Sequence, residues 1–238
     1  MKLGRRSVVG SVIILGLVVA AIVLASQFQS VANLPLEKPV QAEEPKKGLA
    51  AGEVDPRISR AYIFVGKTGF GHEHGVVGAV QSGTIDLGAT QNAGEIVFNM
   101  RSFSADTPEA RRYVGLQGTT DASTRQQVTA NMLGASVLDV GRFPTATFKI
   151  ASAVLTKNKS RSGKPQYQLD GKFTLHGETQ PLRLIAEADE VQGKVHLRGS
   201  FAIFQTSFGI RPFSKAFGAV GVTNQLTIHG DIWLGKKG

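Results

Sequence analysis

The sequence predicts an all-β domain of consecutive antiparallel strands, and three stretches near its C-terminus carry that prediction. In residues 171–177, Phe173 and Leu175 alternate with Lys172, Thr174 and His176. In residues 195–203, Val195, Leu197, Phe201 and Ile203 alternate with His196, Arg198 and Ser200. In residues 226–234, Leu226, Ile228 and Ile232 alternate with Thr227, His229 and Asp231. A period of two with polar alternates puts one strand face in an apolar interior and the other in water. No helical pattern separates these strands, which leaves a sandwich or a closed barrel. A barrel has room for a ligand inside.

The earlier elements follow in order. Residues 58–65 form a first strand, with Tyr62 and Phe64 on one side and Ile63 and Val65 on the other. Residues 76–87 form a second, whose glycines, Gly78 and Gly83, leave its register weakly specified. Residues 94–101 recover the alternation, with Ile96, Phe98 and Met100 inward. Residues 106–139 break it. Ser123 and Gln126 have capping-box spacing, and Val128, Met132 and Leu133 follow at helical intervals. One or two short helices are expected there, plugging an end of the barrel or packing beside it. Gly134 argues against one long helix, and Pro144 enforces an exit.

The next strand turns Ala146, Phe148, Ile150 and Val154 inward. Residues 157–164 carry Lys157, Lys159, Arg161 and Lys164 with no apolar residue, and read as a solvated hairpin loop. Strands at 167–175, 183–189, 194–208 and 225–234 complete the domain. The inward set is Phe98, Met100, Phe148, Ile150, Phe173, Leu175, Leu184, Val195, Leu197, Phe201, Ile203, Leu226, Ile228 and Ile232. Such a set either fills a solid core or lines a cavity. A lipid tail in a cavity gains about 0.8 kcal/mol per CH2 removed from water, or roughly 3–4 kcal/mol per isoprene unit before ordering costs.

Residues 7–26 are uncharged and rich in Val, Ile, Leu and Ala. At about 1.5 Å per residue they span roughly 30 Å as a helix, the thickness of a bilayer core. Lys2, Arg5 and Arg6 precede them, so the positive-inside bias sends the rest of the chain out of the cytoplasm. A cleaved signal peptide is the rival reading, with small residues at Ser30, Val31 and Ala32. Signal cores usually run about 7–15 residues, which favours a retained anchor. The expected organisation is an anchor or uncleaved signal at 1–30, a Pro-containing linker at 31–53 and the β domain at 54–235. As a flexible coil the linker region reaches roughly 30 Å. The chain has no cysteine, which excludes lipidation at that residue, disulfides and thiolate metal sites.

The net charge is +9, and residues 50–238 retain 21 Lys and Arg against 15 Asp and Glu. No basic–aromatic interleave accompanies this excess. Nucleic acid is therefore not an expected partner, whereas an anionic membrane surface is.

Two polar constellations stand out. His72 and His74 lie two apart, so on a strand they face the same way, and neutral imidazoles suit Zn or Cu given further ligands. His176, His196, His229, Glu73 and Glu178 qualify only if the fold gathers them. The bland reading is a polar rim. Arg211 and Lys215 flank Pro212, Phe213 and Ser214, a cationic pair suited to an anionic lipid head, or else an ordinary solvated turn. No nucleophile elbow, zinc-protease, P-loop or dinucleotide motif occurs, so no enzyme is expected.

Three motifs carry a family resemblance. Leu169-Asp170-Gly171-Lys172-Phe173-Thr174-Leu175-His176-Gly177-Glu178-Thr179-Gln180-Pro181-Leu182 resembles the G-x-L-T-I-H-G-x-T-x-P-V signature of YceI-like proteins. Phe143-Pro144-Thr145-Ala146-Thr147-Phe148 is similar to their Y-P-T-A-T-F turn. Ser207-Phe208-Gly209-Ile210, with the return at 218–222, resembles their D-F-G-I strand end. The resemblance implies a closed, lipocalin-like antiparallel barrel of about eight strands, holding a polyisoprenoid or similar amphiphile.

The expected function is binding of a polyisoprenoid or quinone-like lipid, for sequestration, storage or transport at the extracytoplasmic membrane surface. Phe98, Met100, Phe148, Ile150, Phe173, Leu175, Leu197, Phe201, Ile203, Leu226 and Ile228 are the expected lining, with Arg211 and Lys215 at the head group. No other cofactor is implied, and nothing fixes an oligomeric state. A His72/His74 metal protein and a structural envelope scaffold are the alternatives.

Overall fold

The computed structural model describes residues 48–236. The apolar run at 7–26 and most of the expected linker lie outside them. Among the described residues no helix is long and apolar enough to cross a membrane.

The alternating segments become strands β1 (Arg60–Gly69), β2 (His74–Ile85), β3 (Gly94–Asn99), β4 (Ser104–Ala105), β5 (Thr145–Lys159), β6 (Pro165–Leu175), β7 (Glu178–Val191), β8 (Lys194–Phe204), β9 (Ser214–Lys215) and β10 (Val220–Gly235). Helices α1 (Pro108–Tyr113) and α2 (Ala122–Leu133) separate β4 from β5. Eight long strands pair in the order β1-β10-β8-β7-β6-β5-β3-β2, and β2 pairs back onto β1. Every pairing is antiparallel, and the ring leaves no open edge among these eight. The two-residue strands β4 and β9 hang on β2 and β10.

Strand directions define two ends. The turn at 70–73, the turn at 176–177, the segment 205–219 and both helices lie at one, here the helical end. The turns at 86–93, 160–164 and 192–193 lie at the other. There the incoming chain bridges Ala51 to Gly235, Glu53 to Thr84 and Val54 to Leu234. Val54, Ile85, Ile150 and Leu234 fill that end solidly, each at most 2% exposed.

The motif around His176 has a local reason. His176 (φ 52°) and Gly177 (φ 82°) form a two-residue turn with both residues left-handed, which matches the twist of the flanking strands. A Cβ on Gly177 would stand 2.9 Å from the Phe143 ring. The imidazole of His176 lies against that same ring, with its Nδ1 3.2 Å from the carbonyl of Phe208. Three separate sequence motifs thus meet at one corner.

Several details depart from the sequence expectation. A β-bulge between Ile150 and Ser152 shifts the register of β5, so Ala153 is fully buried and Val154 is 41% exposed instead of inward. The helix is capped by Asp121, whose side chain accepts the Thr124 N–H, not by Ser123; Thr107 caps α1, with Pro108 at its first position. The third strand stops at Asn99, and Met100–Ser102 forms a 3-10 turn that still buries Met100. The fifth strand continues to Lys159, so the basic hairpin loop is only 160–164. Its Lys164 is paired with Asp189 at 2.6 Å.

Candidate functional site

The half of the barrel nearer the helical end is hollow. Inward positions of β1 (Ala61, Ile63, Val65), β2 (His74, Val76), β6 (Phe173, Leu175), β8 (Phe201, Ile203) and β10 (Val222, Leu226, Ile228) line it, with Phe98 and Met100. Val128, Asn131 and Met132 of α2, then Val137, Leu138 and Phe213, roof it. The space offers about 180 Å³ to the centres of water-sized molecules, and about 1150 Å³ out to the lining atoms and mouth. Every lining side chain is apolar except His74, Asn131 and Gln205. A large apolar chamber with a few polar groups is what an amphiphile requires.

Phe98, Phe173 and Phe201 form its floor. Their rings meet edge to face, with Phe173 5.9 Å from Phe201 and 6.5 Å from Phe98. Beneath them a smaller cavity of about 50 Å³ is lined by Phe148, Leu197, Leu184 and Ile232 among others. The three rings border both spaces.

The polar wall is anchored. Nδ1 of His74 lies 2.6 Å from Oδ2 of Asp106, which is 2% exposed. Oδ1 of Asp106 accepts the Gly75 N–H at 3.1 Å and Nη1 of Arg111 at 3.2 Å. Burial alone pushes the Asp106 carboxyl up; the His74, Gly75 and Arg111 donors together outweigh it and hold the group below the usual carboxylate range. Gln205 donates to the Thr223 carbonyl at 2.8 Å. Asn131 makes no side-chain hydrogen bond among the described residues, so its amide is available to a guest.

The YceI-like domain model matches residues 53–232. The chain belongs to the YceI-like family. No curated protein matches its sequence. Among solved structures, the YceI-like chain is similar to a polyisoprenoid binding domain from Saccharophagus degradans implicated in plant cell wall breakdown. The identity is 9% and the TM-score 0.54, over 79% of this chain and 100% of that one. Burkholderia cenocepacia BcnA matches at 13% identity and TM-score 0.47, over 76% and 98%. A Campylobacter jejuni YceI protein matches at 12% and 0.41, over 68% and 85%. At such identities the likeness to the Saccharophagus domain is one of fold.

Within this YceI-like barrel the sequence-predicted residues separate by height. Phe98, Met100, Phe173, Leu175, Phe201, Ile203, Leu226 and Ile228 face the main cavity. Phe148 and Leu197 lie below the floor, at the smaller cavity, and Ile150 borders neither, being packed in the solid end. Arg211 and Lys215 are exposed at the helical end, with Lys215 Nζ 5.4 Å from the centre of the Phe213 ring.

His72 and His74 do not share a strand face: His72 is exposed in the β1–β2 turn, and His74 begins β2 and is taken by Asp106. His196 is bound to Asp231, His229 lies beside Tyr113, and His176 is at the corner described above. Among the described residues no three His, Asp or Glu side chains converge as metal ligands.

The helices expected to plug an end of the barrel supply the roof, through Val128 and Met132. Sequence reasoning missed Phe103, the polar trio as lining and the inward face of β1. The alternation of Ala61, Ile63 and Val65 was visible. Both faces of β1 are apolar because Tyr62, on the outside, stacks on Tyr113 of α1 at 3.7 Å, which hid the direction of the core.

Proposed function

We propose that the barrel binds an amphiphilic lipid, of polyisoprenoid or quinone type, noncovalently in the cavity above the Phe98–Phe173–Phe201 floor. The apolar chamber with its three polar lining residues is the observation that carries this reading. The tail lies among the aliphatic and aromatic walls, each buried CH2 contributing about 0.8 kcal/mol. The head group meets Asn131, Gln205 and His74, and the Arg211–Lys215 rim biases selection toward anionic heads. Residues 7–26 would retain the protein at the extracytoplasmic face of a membrane, where it sequesters, stores or transfers its ligand.

The test is native mass spectrometry and organic extraction of protein purified from its own membranes. A stoichiometric isoprenoid-type lipid is the expected result. Repeated absence of lipid, with a structure whose interior is filled by side chains, would overturn the reading. For location, the protein should fractionate with membranes through high-salt and carbonate washes; a soluble form with a mature N-terminus near Asn33 would replace the anchor with a cleaved signal.

A further inference from the structure

Two loop tips at the helical end carry aromatic side chains that nothing covers. Phe70, in the β1–β2 turn, is 86% exposed, and Phe217, between β9 and β10, is fully exposed. The tips are stitched together: β1 and β10 pair as far as Gly69 and Val220, and the Phe70 N–H donates to the Ala219 carbonyl at 2.9 Å. Val220, 38% exposed, continues the apolar surface. Single exposed apolar residues are common, but two phenylalanines on adjoining tips form a feature.

Charge surrounds them asymmetrically. Segments 66–73 and 209–220 contain Lys67, Arg211 and Lys215 against one acid, Glu73. All three cations are exposed, and none has an ion-pair partner among the described residues. At the opposite end Lys164 is paired with Asp189 and Glu187. Lys157, Lys159 and Arg161 there are exposed without an ion-pair partner among the described residues, but residues 157–164 include no aromatic. Protruding aromatics on segments whose cations have no ion-pair partner suit the boundary between acyl chains and anionic head groups.

We infer that Phe70 and Phe217 insert into an anionic lipid bilayer, with Lys67, Arg211 and Lys215 on its head groups. Phe213 within these segments, and Val65 and Val222 next to them in the chain, line the cavity wall, so docking sets the cavity entrance on the membrane. A protein partner would fit the aromatic tips alone; the unpaired cations at their base select the bilayer. The inference rests on the proposed lipid-binding function for its purpose, not for its geometry.

The absence of cysteine makes the test direct. Phe217→Cys, and separately Arg161→Cys at the opposite end, are labelled with an environment-sensitive fluorophore in the full chain. Each is incorporated into vesicles of phosphatidylcholine alone, or with about one quarter phosphatidylglycerol, doped with brominated lipid. The label at 217 should shift blue and be quenched severalfold more in the anionic vesicles, while the label at 161 stays in water. Adding Arg211→Glu and Lys215→Glu should abolish that difference, with circular dichroism unchanged. A label at 217 that remains in water, or one at 161 that enters equally, overturns the inference. Extracting the same samples separates the two readings: docking without bound lipid refutes the function alone, and bound lipid without docking refutes the docking alone.

Discussion

Nδ1 of His74 lies 2.6 Å from Oδ2 of Asp106, and the same imidazole faces the apolar cavity. The carboxylate behind it is buried, so the pair ties the cavity wall to α1 through Arg111 and to the backbone through Gly75. Asp106→Asn removes the charge while keeping the size, and leaves His74 and Arg111 facing a weaker acceptor. Breaking a buried pair in this way costs about 3–5 kcal/mol. Because Arg111 retains some solvent access, the lower end is expected, read as the shift in urea unfolding free energy.

Acid should act through the same group. Asp106 and Asp55 are both held below the ordinary carboxylate range, Asp55 chiefly by its Arg57 hydrogen bonds, with Lys194 assisting. A depressed carboxyl contributes stability above its unfolded pKa of about 3.9, lost as pH falls through the lower folded value. Unfolding free energy should therefore drop steeply below about pH 4. The Asp106→Asn protein, already lacking its share, should show a shallower drop; an unchanged slope would remove Asp106 from the account.

His229 adds a dependence at higher pH. Burial beside Tyr113 pushes its imidazole below the ordinary histidine value. As pH falls through about 6.5 the unfolded chain takes up this proton before the folded one does. Stability should decline across that interval and level off once the folded imidazole protonates. His229→Gln, compared with the parent in urea unfolding at about pH 7 and about pH 5, should have the smaller difference.

Phe173 tests the floor. Its ring meets Phe98, Phe201 and Phe208 edge to face, and separates the main cavity from the smaller one. Phe173→Ala should join the two spaces at a cost of about 3–5 kcal/mol. If the chain remains folded, extracted lipids should shift to longer tails. Phe173→Leu, which costs less, covers the case in which the alanine variant fails to fold. Tail lengths unchanged in a folded variant would mean that the floor does not limit the ligand.

The barrel was legible because most of its long strands, though not β1 or β2, repeat the simplest pattern a chain can carry. Phe173, Phe201 and Ile228 declare their direction by alternating with Thr174, Ser200 and His229. Val154 misled because a bulge is a backbone event, and the extra residue at Ala151 leaves no mark in composition. The cavity's height was illegible for a similar reason. Ile150 and Phe98 look alike in sequence, and only pairing register puts one in the solid end and the other on the floor. Asn131 was hidden because it is a polar residue set among Val128 and Met132 on the roofing face, and no residue of that helix is fully buried. The face itself was legible, but its polar member was not. The His72–His74 pairing failed because the strand begins only at His74.

Gly78 offers the sharpest test of cavity shape. It points inward on β2, and the ring of Phe103 lies directly over it. A Cβ there would stand 2.2 Å from Cε2 of Phe103. Backbone pairing with Ala61 holds the strand in place, so the ring must give way. Phe103 also lines the main cavity, and the space open to a displaced ring is the ligand's. Gly78→Ala should therefore cost about 1–3 kcal/mol by overpacking, and reduce bound lipid severalfold. Phe103→Leu in the same background removes the collision and should restore both. Loss of stability with lipid content unchanged would show that the ring moves elsewhere. Loss of lipid that Phe103→Leu does not restore would locate the defect in β2 itself, not in the occupied volume.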